Sequence, residues 1–133
     1  MSEPRRKHLI LIADDRASSR ELLRVVLERT GYDVLEAPDG EAALDLIRTR
    51  QPDLVLLDLQ MPKLDGLGVL EAVRRDSRFA KLPVVALTAS AMRGDRERIL
   101  EAGFTDYLAK PAGPEQLREV VARLLQHSAS EER

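Results

Sequence analysis

The sequence predicts an α/β fold, a doubly wound parallel sheet, on three observations. Five short apolar runs alternate with helical patterns, the order that gives parallel strands joined by right-handed crossovers with helices on both faces. The first, third and fourth runs are almost wholly apolar, as strands covered on both sides require. Four of the five end in polar or charged residues, Asp14-Asp15, Asp58, Thr88 and Lys110-Pro111, and a parallel sheet gathers the carboxyl ends of its strands at one crevice.

Strand one is read at Leu9 to Ala13. The helix after it begins near Ala17, carries the stripe Leu22, Leu23, Val26 and Leu27, and closes at Gly31, where a left-handed cap fits. Strand two is Asp33 to Ala37, and Pro52 follows the second helix. Strand three is Leu54 to Leu57; Met61-Pro62 then forces the chain out of the strand, and Asp65-Gly66 makes a turn or cap before a helix carrying Leu67, Leu70 and Val73. Strand four is Val84 to Leu87, and the helix after it closes at Gly103. Strand five is short, Tyr107 to Ala109. Gly113-Pro114-Glu115 opens the fifth helix, with Leu117, Val120, Val121, Leu124 and Leu125 on its core face. One domain is expected over residues 8–127, between tails at 1–7 and 128–133, with no repeat or linker.

A chain of 133 residues suits one domain with a real core. Its 21 basic and 23 acidic residues leave a net charge of −2 with no basic block, which argues against nucleic-acid binding by this chain. The absence of cysteine excludes disulfides and thiolate metal sites. The apolar stretch after the polar start stops at Asp14, too short for a signal peptide or membrane span. The expectation is a cytoplasmic protein without membrane contact.

The strand ends carry the chemistry. Asp14 and Asp15 can both face the crevice at a strand-to-helix turn, although one of them serving only as a helix cap is an alternative. If strands one and three are neighbours, their ends lie about 5 Å apart, so Asp15 and Asp58 crowd like charges. Two carboxylates at ~4 Å repel by about 4 kcal/mol at an effective dielectric near 20, a strain that a cation relieves. An all-oxygen cluster suits Mg²⁺ rather than a soft metal. Asp58 is also a candidate nucleophile, since a carboxylate can accept a phosphoryl group; the alternative is a strand-ending Asp bonded to its turn.

Taken together, Ala13-Asp14-Asp15, Asp58-x-x-Met61-Pro62-x-x-Asp65-Gly66, Leu87-Thr88-Ala89 and Asp106-Tyr107-Leu108-Ala109-Lys110-Pro111 resemble the receiver domain of two-component response regulators over nearly the whole chain. The resemblance implies a flavodoxin-like sheet of strand order 2-1-3-4-5. It implies that Asp58 is the phosphoacceptor, that Asp15 and Asp58 ligate Mg²⁺ with the backbone carbonyl of Gln60, and that Asp14 does so directly or through water. It further implies that Thr88 binds a phosphoryl oxygen, that Lys110 pairs with the carboxylate or phosphoryl group, and that the Lys110-Pro111 peptide is cis. Thr88 and Tyr107 form the expected switch, Tyr107 turning into space that Thr88 vacates. Gln60 and Ser90 match the positions that tune dephosphorylation, whereas Ala112-Gly113 is smaller than the resemblance leads one to expect.

The resulting expectation is a stand-alone receiver, monomeric or dimeric on phosphorylation. A sensor histidine kinase or histidine phosphotransfer domain supplies the phosphoryl group, and a downstream protein of unknown identity receives the signal. Ser18 and the loop Pro111 to Pro114 flank the crevice where a donor approaches; Arg93, Arg96 and Tyr107 lie on the face that the switch alters. A receiver cut from a hybrid kinase or a longer regulator is the alternative. An aspartyl-phosphate hydrolase fits less well, because Gln60 stands where such enzymes carry an acid/base aspartate.

Overall fold

The computed structural model describes residues 7–89 and 93–131, with side chains described within 7–89 and 95–126. Its elements are β1 (Leu9–Ala13), α1 (Ala17–Thr30), β2 (Asp33–Ala37), α2 (Gly40–Arg50), β3 (Leu54–Asp58), α3 (Gly66–Arg75), β4 (Val84–Thr88), α4 (Arg93–Ala102), β5 (Asp106–Ala109) and α5 (Pro114–Glu131), with a 3₁₀ turn at Ser77–Phe79. The strands are all parallel, in the order β2-β1-β3-β4-β5. This is the flavodoxin-like (βα)₅ arrangement expected from the sequence. Ser90 lies outside the described residues, as do the N-terminal residues 1–6.

Successive side chains of a strand point to opposite faces, and here each face is covered. Leu11 and Ala13 of β1, Val55 and Leu57 of β3, and Val84 and Ala86 of β4 pack with Ala43, Ile47, Val69, Leu70, Val73 and Ile99 from α2, α3 and α4. Ile10, Ile12, Leu54, Leu56, Val85 and Leu87 pack on the other side with Leu23 and Leu27 of α1 and the five predicted apolar residues of α5. The near-continuous apolar strands therefore read correctly as a sheet buried on both sides.

The helix ends follow local chemistry. Gly31 and Gly103 adopt φ of 111° and 116°, the left-handed caps that glycine takes without a Cβ clash. Gln51 takes φ 49° as the left-handed cap of α2, its amide donating to the Ile47 carbonyl, and Pro52 follows beyond the helix end. Asp39 and Asp65 cap α2 and α3 by accepting the Ala42 and Gly68 amides.

Three details differ from the sequence reading. Leu22 is 70% exposed and Leu67 49% exposed, because each lies at the solvent edge of its stripe while Leu23 and Leu70 face the core. At the C-terminus α5 runs past Ser128 to Glu131; the segment contains no glycine or proline to stop it. Finally, the sequence reading assigned no role to Arg74. Its guanidinium donates to the carbonyls of Phe79, Leu82 and Gly103, and so ties α3 to the start of β4 and the end of α4.

Candidate functional site

The strand register builds the site. Ala13 pairs with Leu57, Asp58 with Leu87 and Thr88 with Ala109, so the polar residues that end β1, β3, β4 and β5 emerge side by side. Among the described residues the buried polar or charged side chains are Asp14, Asp58 and Thr88. All three belong to this edge. Burying such groups is costly unless each is paired, so their concentration here marks a site rather than a packing accident.

Lys110 reaches across from β5. Its Nζ lies 2.9 Å from Asp58 Oδ2 and 2.9 Å from Asp14 Oδ2. The backbone N–H of Lys110 donates to the Thr88 carbonyl at 2.8 Å, and the Lys110-Pro111 peptide is cis. Asp58 Oδ1 accepts the Gln60 amide at 3.0 Å. Asp14 Oδ1 accepts the Arg16 amide at 2.9 Å, while Arg20 donates to the Asp14 backbone carbonyl at 2.7 Å and pairs with Glu36 on β2. The alternative in which an aspartate caps α1 does not occur: Arg16 occupies the N-cap without a side-chain bond, and the Asp14 carboxylate is held inside the site.

The electrostatics of the two buried carboxylates diverge. Burial pushes the Asp14 carboxyl up, but the Arg16 amide, the Lys110 ammonium and the Ser19 hydroxyl together outweigh it and leave its pKa below the ordinary value. For Asp58 burial wins, aided by the negative charge of Asp14, and its pKa is raised despite the Gln60 amide and Lys110. Burial lowers the Lys110 pKa, but its bonds to the two carboxylates more than compensate and raise it overall.

Asp14, Asp15 and Asp58 each offer a carboxylate oxygen within 4.8 Å of the others. Asp14 and Asp58 are buried, whereas Asp15 is exposed at the mouth. Three carboxylates face one ammonium, and the buried Asp14 Oδ2, although at ion-pair distance from Lys110, accepts no well-directed hydrogen bond. An all-oxygen set with excess negative charge and an underused buried oxygen fits a hard divalent cation such as Mg²⁺.

A crevice of about 590 Å³ opens over this group, and its lining includes Asp15, Asp58, Gln60 and Thr88 together with Ser18, Leu22, Pro111 and Ala112. The exposed Leu22 therefore forms part of the crevice wall. Its signal lay in α1 itself, where Leu22, Leu23, Val25, Val26 and Leu27 supply more apolar positions than a single core-facing stripe needs. Arg20 left no comparable signal, because its partners are a backbone carbonyl and a residue on another strand.

Tyr107 pairs in register with Ala86 and is half-buried against the cluster beneath α2, α3 and α4. Thr88, two residues beyond Ala86 on β4, points to that same face. The Arg96 guanidinium lies 5.7 Å from the Tyr107 ring centroid, a cation–π distance. Arg93 begins α4, but its side chain lies outside those described.

A parallel five-stranded domain with two buried aspartates paired to one lysine at its carboxyl edge defines a narrow class, and comparison with known proteins specifies it. The profile of the response regulator receiver domain matches residues 10–122, and the chain belongs to that family of two-component signalling. A crystal structure of a putative response regulator from Chloroflexus aurantiacus is 36% identical, with a TM-score of 0.86 over 91% of this chain and 99% of that one. The receiver domain of sensor histidine kinase PA1611 from Pseudomonas aeruginosa, described with a magnesium ion coordinated in its active-site cleft, is 32% identical with a TM-score of 0.84, covering 91% of this chain and 99% of that one. Among curated sequences, a probable transcriptional regulator ycf27 of Galdieria sulphuraria is 46% identical over 117 residues, covering 88% of this chain and 45% of the relative. The chain thus spans about half the length of the ycf27 relatives it matches. The polar-differentiation response regulator DivK of Brucella anthropi is 36% identical over 116 residues, 87% of this chain and 94% of the relative. Among the described residues no helix is long and apolar enough to cross a membrane.

Proposed function

We propose that the chain is a phosphorylation-dependent switch of the cytoplasm that modifies itself at Asp58. The observation that carries this reading is the Lys110 ammonium at 2.9 Å from both buried carboxylates, a fixed positive charge where a phosphoryl oxygen must be neutralised. In the transfer, an Asp58 carboxylate oxygen attacks phosphorus, the donor's P–N bond to histidine breaks, and the leaving imidazole takes a proton from solvent. Asp58 Oδ1 is oriented by the Gln60 amide, which leaves Oδ2 beside Lys110. As charge builds on the phosphoryl oxygens, Lys110 shifts from the carboxylates toward them, and the Thr88 hydroxyl donates to one of them. Asp14, Asp15, Asp58 and the Gln60 carbonyl would hold Mg²⁺, which supplies charge neutralisation at the phosphoryl oxygens when bound. Gln60, exposed at the mouth, and Ser90 are the proposed tuners of dephosphorylation.

Ser18, Leu22 and the Pro111 to Pro114 loop form the wall against which a sensor histidine kinase or histidine phosphotransfer domain docks. Arg93, Arg96 and Tyr107 mark the face read by the downstream protein. Incubation with Mg²⁺ and acetyl phosphate is expected to add one phosphoryl group to the wild type and none to Asp58→Ala, measured by intact mass. Equal labelling of both contradicts the assignment.

The ycf27 relatives favour a second reading, a receiver module of a longer transcriptional regulator, while the DivK match over 94% of that relative favours a stand-alone switch. The mass of the protein purified from its own cells separates the two.

A further inference from the structure

The segment after Asp58, residues 59–65, is held by more than its own turn. Gly40, the first residue of α2, approaches it so closely that a Cβ there would lie 1.8 Å from the Leu64 carbonyl oxygen and 2.7 Å from its carbonyl carbon. Backbone lies against backbone, and no side-chain rotamer relieves that contact. From the opposite side, a Cβ on Gly68 of α3 would lie 2.5 Å from Leu64 Cδ1. Leu64 thus lies against the first turns of two helices; at Gly40 the close approach is to its backbone, which only glycine admits, whereas at Gly68 it is to the end of its side chain. The residue before it is strained: Lys63 has φ 70°, and the Leu64 amide closes a tight turn onto the Pro62 carbonyl at 2.8 Å. Such a turn is uncommon and persists only where its surroundings over-determine it. The Lys63 ammonium also lies 3.7 Å from Asp39, the residue that caps α2. Within the same segment the Gln60 amide bonds to Asp58 Oδ1, and the buried Met61 joins the core.

We propose that Gly40 and Leu64 form a lock that fixes the segment carrying Gln60, so that Gly40 is a positioning residue for a metal site to which α2 contributes no ligand. The inference rests on the reading that Asp14, Asp15, Asp58 and the Gln60 carbonyl hold Mg²⁺. Without the lock, the turn at Lys63 relaxes, the Gln60 carbonyl and the amide that orients Asp58 shift together, and the cation loses a preorganised oxygen. Supporting groups of this kind govern metal affinity by about 10–100-fold.

The test is Mg²⁺ titration of the full unphosphorylated chain by calorimetry, with thermal unfolding on the same samples. Gly40→Ala is expected to weaken Mg²⁺ binding by about tenfold and to move the Gln60 amide resonance. Gly31→Ala is the control for mere destabilisation: it strains a left-handed cap with nothing within 4 Å of its Cβ, and is expected to lower the melting temperature while leaving Mg²⁺ affinity unchanged. Should Gly40→Ala fail to fold, Leu64→Ala, which keeps the backbone contact with Gly40 but removes the side-chain atoms held against Gly68, loosens the other half of the hold and is expected to weaken Mg²⁺ binding in the same direction by a smaller factor. Wild-type Mg²⁺ affinity in the folded variants overturns the lock. Asp15→Asn tests the underlying reading separately: if it binds Mg²⁺ as the wild type does, the metal assignment fails and the lock with it; if it loses Mg²⁺ while Gly40→Ala and Leu64→Ala keep it, the lock alone is wrong.

Discussion

Lys110 is paired with both Asp14 and Asp58, so its replacement leaves two buried carboxylates without that cation. Lys110→Ala is expected to destabilise the metal-free chain by about 1–3 kcal/mol, the cost of an unsatisfied buried acceptor, and added Mg²⁺ is expected to restore part of it; urea unfolding with and without Mg²⁺ checks both. Asp58 carries the opposite sign. Its folded-state pKa lies above the ordinary value, so its ionisation opposes folding at pH above that pKa, and the cost vanishes as pH falls below the ordinary carboxylate range. Asp58→Asn is therefore expected to raise the melting temperature in EDTA at neutral pH, with a gain that shrinks on acidification. Asp14, with its pKa lowered, contributes stability above the ordinary carboxylate range that is lost as pH falls through its folded pKa. Mg²⁺ at 100 times its dissociation constant is expected to stabilise the wild type by about 2.7 kcal/mol, and Asp58→Asn by less.

At the level of elements, β4 and β5 link the crevice to α4. Thr88 and Tyr107 share a face of the sheet, and Arg96 of α4 lies over the Tyr107 ring. A phosphoryl group that draws the Thr88 hydroxyl toward the strand ends frees space on the side where Tyr107 and α4 meet. Thr88→Ala is accordingly expected to accept the phosphoryl group yet lose phosphorylation-dependent partner binding, measured by a pull-down on protein whose labelling has been confirmed by mass. At the other end of α4, Arg74 bonds the Gly103 carbonyl through two nitrogens. That clamp makes the helix a lever held at its C-terminal end, so movement is expected to be largest near its N-terminus. Arg74→Ala leaves several carbonyls without their charged donor, and is expected to cost about 2–4 kcal/mol in chemical unfolding.

For the molecule as a whole, the sequence disclosed what period and punctuation encode. Strand bounds to within one residue, the α5 stripe and the Gly31 and Gly103 caps were legible because each follows from local chemistry. Convergence of Asp14, Asp58, Thr88 and Lys110 was legible because parallel topology lines up strand ends. What stayed hidden depends on contacts between distant segments. The fit of Leu64 against Gly40, the carbonyls gathered by Arg74 and the burial of Asp14 relative to Asp15 arise only when helices pack, and none changes the local pattern of the chain. Both levels meet in the proposed switch, in which a phosphoryl group on Asp58 alters the face formed by α4 and β5. Amide chemical shifts before and after phosphorylation with Mg²⁺ and acetyl phosphate test it most directly. Changes are expected at Thr88, at Tyr107 and along the N-terminal half of α4, with Gly103 nearly unmoved and no change in Asp58→Ala; changes confined to the turns around Asp15, Asp58 and Lys110 rule the switch out.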